Sequence, residues 1–276
     1  MTAATEPTPP PGNRVVLLRS DAPQHLHLER MLASKVALVG VIVESGHSQR
    51  GRLWRERRYN IAFWRAYHLA RERTTGRVRA ARRFFGDDMA VDSGAIHHVT
   101  VQWINDVEVV DTLERWRPDI TVVCGTGLIR PEVLSRAGVA INVHGGLLPW
   151  YRGNHGVFFA CARLDHARVG VSVHLVTERL DEGPVLFVAT VQAAPGDRDD
   201  TLYLTAFRAA TAHLADLLAR LSPVELVGRA RPQPGSGSMF RHRDRTPALE
   251  LAVWWRRHRS RERLGPGEAR SVVIDE

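Results

Sequence analysis

The chain has 276 residues, 44% apolar and 25% charged, enough for one sizeable core and ordinary for a folded domain. Its formal net charge of +8 is carried almost wholly by arginine, since Lys35 is the only lysine. No apolar run approaches the ~18 residues of a membrane span, the opening MTAATEPTPPPGN lacks the basic and apolar parts of a secretory leader, and neither Cys124 nor Cys161 has metal-ligand spacing; a cytoplasmic protein with buried, reduced thiols and no metal is expected.

Residues 1–13, rich in proline and threonine, read as a disordered arm. Residues 14–18 are a strand candidate, Pro23–Ala33 a helix, and residues 36–43 (VALVGVIV) a second strand, the start of a right-handed parallel unit. RSDAPQH follows the first strand where a dinucleotide-binding enzyme would carry G-x-G-x-x-G, which argues against that class. From about residue 47 to 90 the composition shifts. Between His47 and Phe85 twelve arginines face only two acidic residues, Glu56 and Glu72, with Trp54, Tyr59, Phe63, Trp64, Tyr67, Phe84 and Phe85 interleaved. Phe63, Trp64, Tyr67 and Ala70 fall near helical spacing, so one or two amphipathic helices are expected here, inserted into the connectivity of the sheet. Arginines for phosphates and aromatics for stacking would make this a nucleic-acid arm. The preferred reading is a helical excursion that packs its aromatics on the domain, a homodimer contact or a lid included.

Alternation resumes over residues 98–104 (HVTVQWI), and Asn105 or Asp106 is placed to cap a helix running to about Trp116. Residues 119–124 (DITVVC) have the apolar centre of a central parallel strand and end on Gly125-Thr126-Gly127; Pro131 starts a helix, and residues 139–142 form a fifth strand. Residues 169–187 read as two apolar strands around a polar turn, residues 178–183. Asp199 or Asp200 would cap a long helix through Leu221, with His213 on it as a structural or surface residue. Residues 224–234 are taken as a last strand. Trp254 and Trp255, among arginines, belong to a short basic helix before a loose acidic end. Strand and helix alternating in this way imply a doubly wound, mostly parallel α/β sheet with its site at the carboxyl ends of the strands.

The segment INVHGGLLPWYRG, residues 141–153, concentrates polar chemistry in an apolar setting. Period-2 alternation puts Asn142 and His144 on one face of a strand, with Val143 turned to the core. A carboxamide and an imidazole side by side at a strand end suit a developing oxyanion. The Gly145-Gly146 step and the Pro149 turn then carry the chain out of the sheet, where a cleft would open. Asp181, in the turn LDEGPVL, is a carboxylate that could hold and polarise a histidine arriving from another strand. Such a neighbour favours the imidazolium form.

NVHGGLLPWYRG, followed 37 residues after His144 by Asp181 in LDEGPVL, resembles the formyltransferases that use 10-formyltetrahydrofolate. Their pattern is roughly Asn-x-His-Pro-x-Leu-Leu-Pro-x-Tyr-Arg-Gly and then Asp-x-Gly. The resemblance covers residues 95–222 well and residues 14–44 only as a pattern. It implies the formyltransferase form of the Rossmann-like fold, 10-formyltetrahydrofolate as co-substrate, and Asn142, His144 and Asp181 as catalytic residues. The family's pterin-binding backbone would correspond to Leu128 and Ile129 and to Val176, Thr177, Glu178 and Leu180. Trp150, Arg152, Gly153 and Asn154 would line the acceptor pocket, while His155 has no part in the pattern and His174 reads as packing. Gly145 departs from the family, which usually has proline there.

The organisation expected is an arm at 1–13, a catalytic domain at 14–228 with its insertion at about 47–90, and a short basic extension at 229–276. The function implied is N-formylation of a small-molecule amine: an amino sugar, an amino acid derivative or a specialised metabolite. The alternatives are a hydrolase that releases formate from the same co-substrate, and a nucleic-acid-binding protein that kept the fold and lost the chemistry.

Overall fold

The computed structural model describes residues 12–45, 53–54, 56–86, 96–260 and 270–276. The arm expected at 1–13 lies almost wholly outside these residues, as do parts of the insertion.

Five strands build the parallel part of the sheet: β1 (Arg14–Ser20), β2 (Ala37–Glu44), β3 (His97–Val101), β4 (Ile120–Cys124) and β5 (Val139–His144). Their spatial order is β3-β2-β1-β4-β5, so the winding reverses between β1 and β4, as in a doubly wound fold. Beyond β5 the sheet turns antiparallel through β7 (Gly170–Leu175), β8 (Val185–Val191) and the edge strand β10 (Val272–Asp275). A two-stranded parallel pair lies apart from it: β6 (Tyr151–Gly153) and β9 (Ser238–Phe240).

The helices are α1 (Pro23–Ala33), α2 (Tyr59–Thr74), α3 (Arg77–Phe85), α4 (Val107–Trp116), α5 (Pro131–Leu134), α6 (Gly156–Ala162), α7 (Asp199–Arg220), α8 (Pro223–Arg229) and α9 (Pro247–Arg259). They cover both faces of the sheet, which explains why β1 is apolar without interruption. Val15 and Leu17 join the larger core with α1 and α7, while Val16 and Leu18 join the smaller one with α4. Each of these four is fully buried, and truncating either leucine to alanine would cost about 2–5 kcal/mol.

Four sequence expectations need correction. Residues 224–234 are not a strand at their start but helix α8: Pro223 opens it, and Ser222 and Glu225 close a reciprocal capping box. The acidic end, read as loose, forms β10 against β8. Neither Asp199 nor Asp200 caps α7; Arg198 stands at the N-cap, and both aspartates sit buried in the first turn. In the insertion only part of the aromatic set packs on the domain: Phe85 lies against the larger core, whereas Trp54, Tyr59 and Phe63 are exposed and the buried face of α2 carries Ala62, His68 and Arg71.

Ion pairs join aromatic packing in docking α2 and α3: Phe85 of α3 stacks on His27 of α1 with ring centres 4.3 Å apart and packs against the larger core. Arg71 meets Glu250 at 3.0 Å, Arg77 meets Asp199 at 2.8 Å, and Arg245 reaches Glu250 at 2.5 Å and Asp199 at 3.2 Å. Burial alone would raise the Asp199 carboxyl, but Arg77 and Arg245 overturn it and hold the group well below the usual carboxylate range. The network ties the insertion to α7 and to the C-terminal segment. That segment, read from sequence as an appended extension at 229–276, returns to the main sheet through β10 and to the β5 exit loop through β9.

Candidate active site

Antiparallel β7 lays His174 across from Asn142 of β5 and Ser172 across from His144. Asn142 Nδ2 is 3.0 Å from His174 Nε2, and His174 Nδ1 is 2.8 Å from the Leu175 carbonyl. Burial, reinforced by His144 and opposed by Asp181, lowers the His174 pKa to about 4. The ring is therefore neutral near pH 7 and carries a single N–H. That proton belongs on Nδ1, donating to the Leu175 carbonyl, so Nε2 accepts from the Asn142 amide. The same logic orients the Asn142 side chain and leaves its second N–H for a ligand.

His144 Nε2 donates to the Tyr151 carbonyl at 2.8 Å, and Nδ1 faces Asp181 Oδ1 at 3.5 Å. The other Asp181 oxygen accepts the Gly153 N–H at 2.7 Å, and His174 Nε2 stands 3.8 Å from Oδ1. His144, His174 and Asp181 are all buried. Asp181 adopts φ +55°, a left-handed conformation that its short side chain tolerates and that turns the carboxylate back over β5. Gln233 fixes this bend, its amide donating to the carbonyls of Asp181 and Gly183 at 2.9 and 2.8 Å. Gly153 has φ +80°, and a Cβ there would collide with the Phe240 carbonyl of β9. Only glycine brings its N–H to Asp181 from that position.

The sequence-predicted trio of Asn142, His144 and Asp181 is thus brought together. Sequence reasoning missed His174, read as packing; its parity on the strand pointed to the site face, but the register with Asn142 did not follow from sequence. It also missed Gln233, and Glu44, which is fully buried and accepts the backbone N–H groups of Ile104 and Gly127 at 3.2 and 2.8 Å.

Of the residues assigned to pterin binding, Leu128 and Ile129 lie in the loop after β4. Asn105 braces it, donating to the Leu128 carbonyl at 2.8 Å and accepting the Arg130 N–H at 2.6 Å. Leu128 is half exposed and Ile129 is buried in the smaller core, on which Val176 also packs. Thr177 bonds the Arg179 carbonyl, while Glu178 and Leu180 are exposed on the turn that leads to Asp181. The four residues assigned to the acceptor pocket separate. Gly153 touches Asp181. Trp150 is 40% exposed, with the Arg168 guanidinium 4.8 Å from its ring centre. Arg152 is buried and pairs with Glu182 at 2.9 Å, so its charge is already answered within the protein. Asn154 donates its backbone N–H to the Phe240 carbonyl at 2.8 Å.

Gly145, where the resembled pattern has proline, faces Tyr203 of α7. A Cβ on Gly145 would stand 3.1 Å from the tyrosine ring, a tight approach that the ring would have to give way to by a few tenths of an ångström. Cys124 is buried and burial raises its thiol pKa; Cys161 is pushed up to about 12, mainly by burial. Neither thiol suits nucleophilic chemistry near neutral pH. Among the described residues no helix is long and apolar enough to cross a membrane.

This arrangement supplies an amide donor, an imidazole and a carboxylate at one strand end, the set an acyl-group transfer to an amine requires. Similarity to known proteins points the same way. The chain is 32% identical over 126 residues to phosphoribosylglycinamide formyltransferase of Escherichia coli, covering 43% of this chain and 59% of that protein. It is 33% identical over 136 residues to methionyl-tRNA formyltransferase of Myxococcus xanthus, covering 47% and 41%. The chain thus spans about two to three fifths of the length of these curated relatives. A crystal structure of a sugar N-formyltransferase from Shewanella shares the fold, with TM-score 0.53 at 15% identity over 94% of this chain and 96% of that one. The family model described as formyl transferase matches residues 70–216. Those residues are more than half of the chain and hold Asn142, His144 and Asp181, and the protein belongs to the formyl transferase family.

Proposed function

We propose that the chain moves a formyl group from 10-formyltetrahydrofolate to the amine of a small acceptor, such as an amino sugar, an amino acid derivative or a specialised metabolite. The observation that carries this reading is the convergence of Asn142, His144 and Asp181, with His144 Nδ1 3.5 Å from Asp181 Oδ1. The acceptor nitrogen forms its bond to the formyl carbon as the bond from that carbon to the folate nitrogen breaks. The free N–H of Asn142 is the donor available to the developing oxyanion without rearrangement. His144 already donates through Nε2 to Tyr151 and turns Nδ1 to Asp181, so its contribution is to hold the imidazole and the carboxylate in register at the reacting centre. Asp181 then takes, through a water, the proton from the nitrogen that has attacked, and that proton passes to the departing folate nitrogen, which leaves as the N–H of tetrahydrofolate.

The backbone of the Leu128–Ile129 loop and of the turn before Asp181 offers edge-on groups for a pterin. Glu44 and Asn105 hold the first of these loops in place. A small acceptor agrees with the burial of the trio. The co-substrate family and the likeness to a sugar-modifying fold support the reading at the level of reaction type.

The test is release of tetrahydrofolate from 10-formyltetrahydrofolate with and without a panel of amines. Amine-dependent release with a formylated product supports the proposal. Release of free formate independent of amine would assign the hydrolase instead, and no release with any acceptor contradicts both.

A further inference from the structure

Three imidazoles that the proposed chemistry does not use meet beside the β5 exit loop. His68 comes from α2, His155 stands at the N-cap of α6, and His242 lies in the turn after β9. One ring nitrogen of each lies within 4.8 Å of the other two, the one such group among the described residues. His155 Nε2 is 3.1 Å from His242 Nδ1, close to the ~3.3 Å edge of a tetrahedron with metal–nitrogen bonds of about 2.0–2.1 Å. The His68 ring centre is 4.7 Å from that of His155, and its Nε2 is 2.7 Å from the His242 carbonyl.

Two further observations point to an ion rather than to packing. His68 is 3% exposed, yet its Nδ1 has no hydrogen-bond partner, and a buried imidazole nitrogen without one calls for a ligand. His155 holds φ +62°, a conformation uncommon for residues other than glycine and concentrated at functional positions.

Arg65, Arg71 and Arg245 are the cations nearby. Arg71 and Arg245 are paired with Glu250, and Arg245 also with Asp199, so the surroundings are partly neutralised. His155 and His242 are each partly exposed.

We propose that His68, His155 and His242 bind one zinc-class divalent ion, with water completing a tetrahedral set. The ion would join the insertion, the C-terminal segment and the loop whose Gly153 holds Asp181. Sequence spacing hid this group because His155 and His242 alone are 87 residues apart.

The experiment uses the full, untagged chain, stripped with a chelator and titrated with cobalt(II), then zinc(II). One equivalent of cobalt giving the visible bands of a tetrahedral site, displaced by zinc, is expected, together with a zinc-dependent rise in Tm. His68→Gln and His242→Asn should each weaken binding by more than the ~10- to 100-fold that outer-shell changes cost. X-ray absorption at the zinc edge of the wild-type complex should count three imidazoles and one oxygen, a readout that does not depend on the variants folding. No cobalt spectrum and no Tm shift in the wild type overturns the proposal. So do fewer than three imidazoles at the zinc, or undiminished binding in both variants. None of these readouts involves formyl transfer, so the result stands apart from the proposed activity.

Discussion

Asp181 has two separable tasks: one oxygen anchors the Gly153 N–H and the other faces His144. Removing the carboxylate or the imidazole should therefore act on turnover far more than on folding. His144→Ala leaves the Tyr151 carbonyl without its donor, a stability cost of about 1–3 kcal/mol. Loss of transition-state stabilisation should lower kcat/KM by about 100- to 1000-fold in His144→Ala and in Asp181→Ala. Thermal melts and steady-state kinetics on the same preparations separate the two effects. Near-wild-type turnover in either variant contradicts the assigned roles. These residues were legible in the sequence because polar groups at a strand end followed by glycine are chemically conspicuous. His174 was not, because its contact with Asn142 depends on the β5–β7 register, a long-range property.

The elements around the site were legible to different degrees. α1 falls on the predicted residues, since Pro23 starts it and its apolar periodicity is clear, and the central strands β1, β2, β4 and β5 fall within a few residues. α8 was misread as a strand although Ser222, Pro223 and Glu225 spell a helix start; the apolar residues that followed drew the reading to a strand. The β6–β9 pairing could not be foreseen, because three-residue strands carry almost no pattern. Gly145 gives an element-scale prediction. Tyr203 of α7 stands close to where a Cβ at 145 would go, so Gly145→Pro should destabilise the protein by about 1–3 kcal/mol through overpacking. Tyr203→Leu in the same chain should recover part of that loss. A double-mutant cycle from urea unfolding measures the coupling, and strictly additive effects contradict the contact.

For the whole molecule, buried neutral histidines set the response to acid. Burial, with Arg19 beside it, lowers His25 to about 3, and burial is also the first cause of the value of about 4 at His174. A histidine whose folded pKa lies below the unfolded value of 6.5 binds its proton more weakly when folded. Its contribution to stability is complete above pH 6.5 and is lost as the pH falls from there toward 3 or 4. Urea midpoints should therefore hold from pH 7.5 to about 6.5 and decline from there to 4.5, and a flat profile between pH 6.5 and 4.5 contradicts neutral burial. The doubly wound sheet and the helical insertion were visible in alternation and composition. How the insertion docks was not, since it depends on Arg71 finding Glu250 and Arg77 finding Asp199 across more than a hundred residues.

The central claim is that the site formed by Asn142, His144 and Asp181 takes a folate. Calorimetric titration of 5-formyltetrahydrofolate, a stable analogue, into the wild type tests it most directly, with Asp181→Ala alongside. Saturable, one-to-one binding to the wild type, weakened in the variant, is the predicted result. No heat of binding at high micromolar ligand, from protein shown to be folded, contradicts the account.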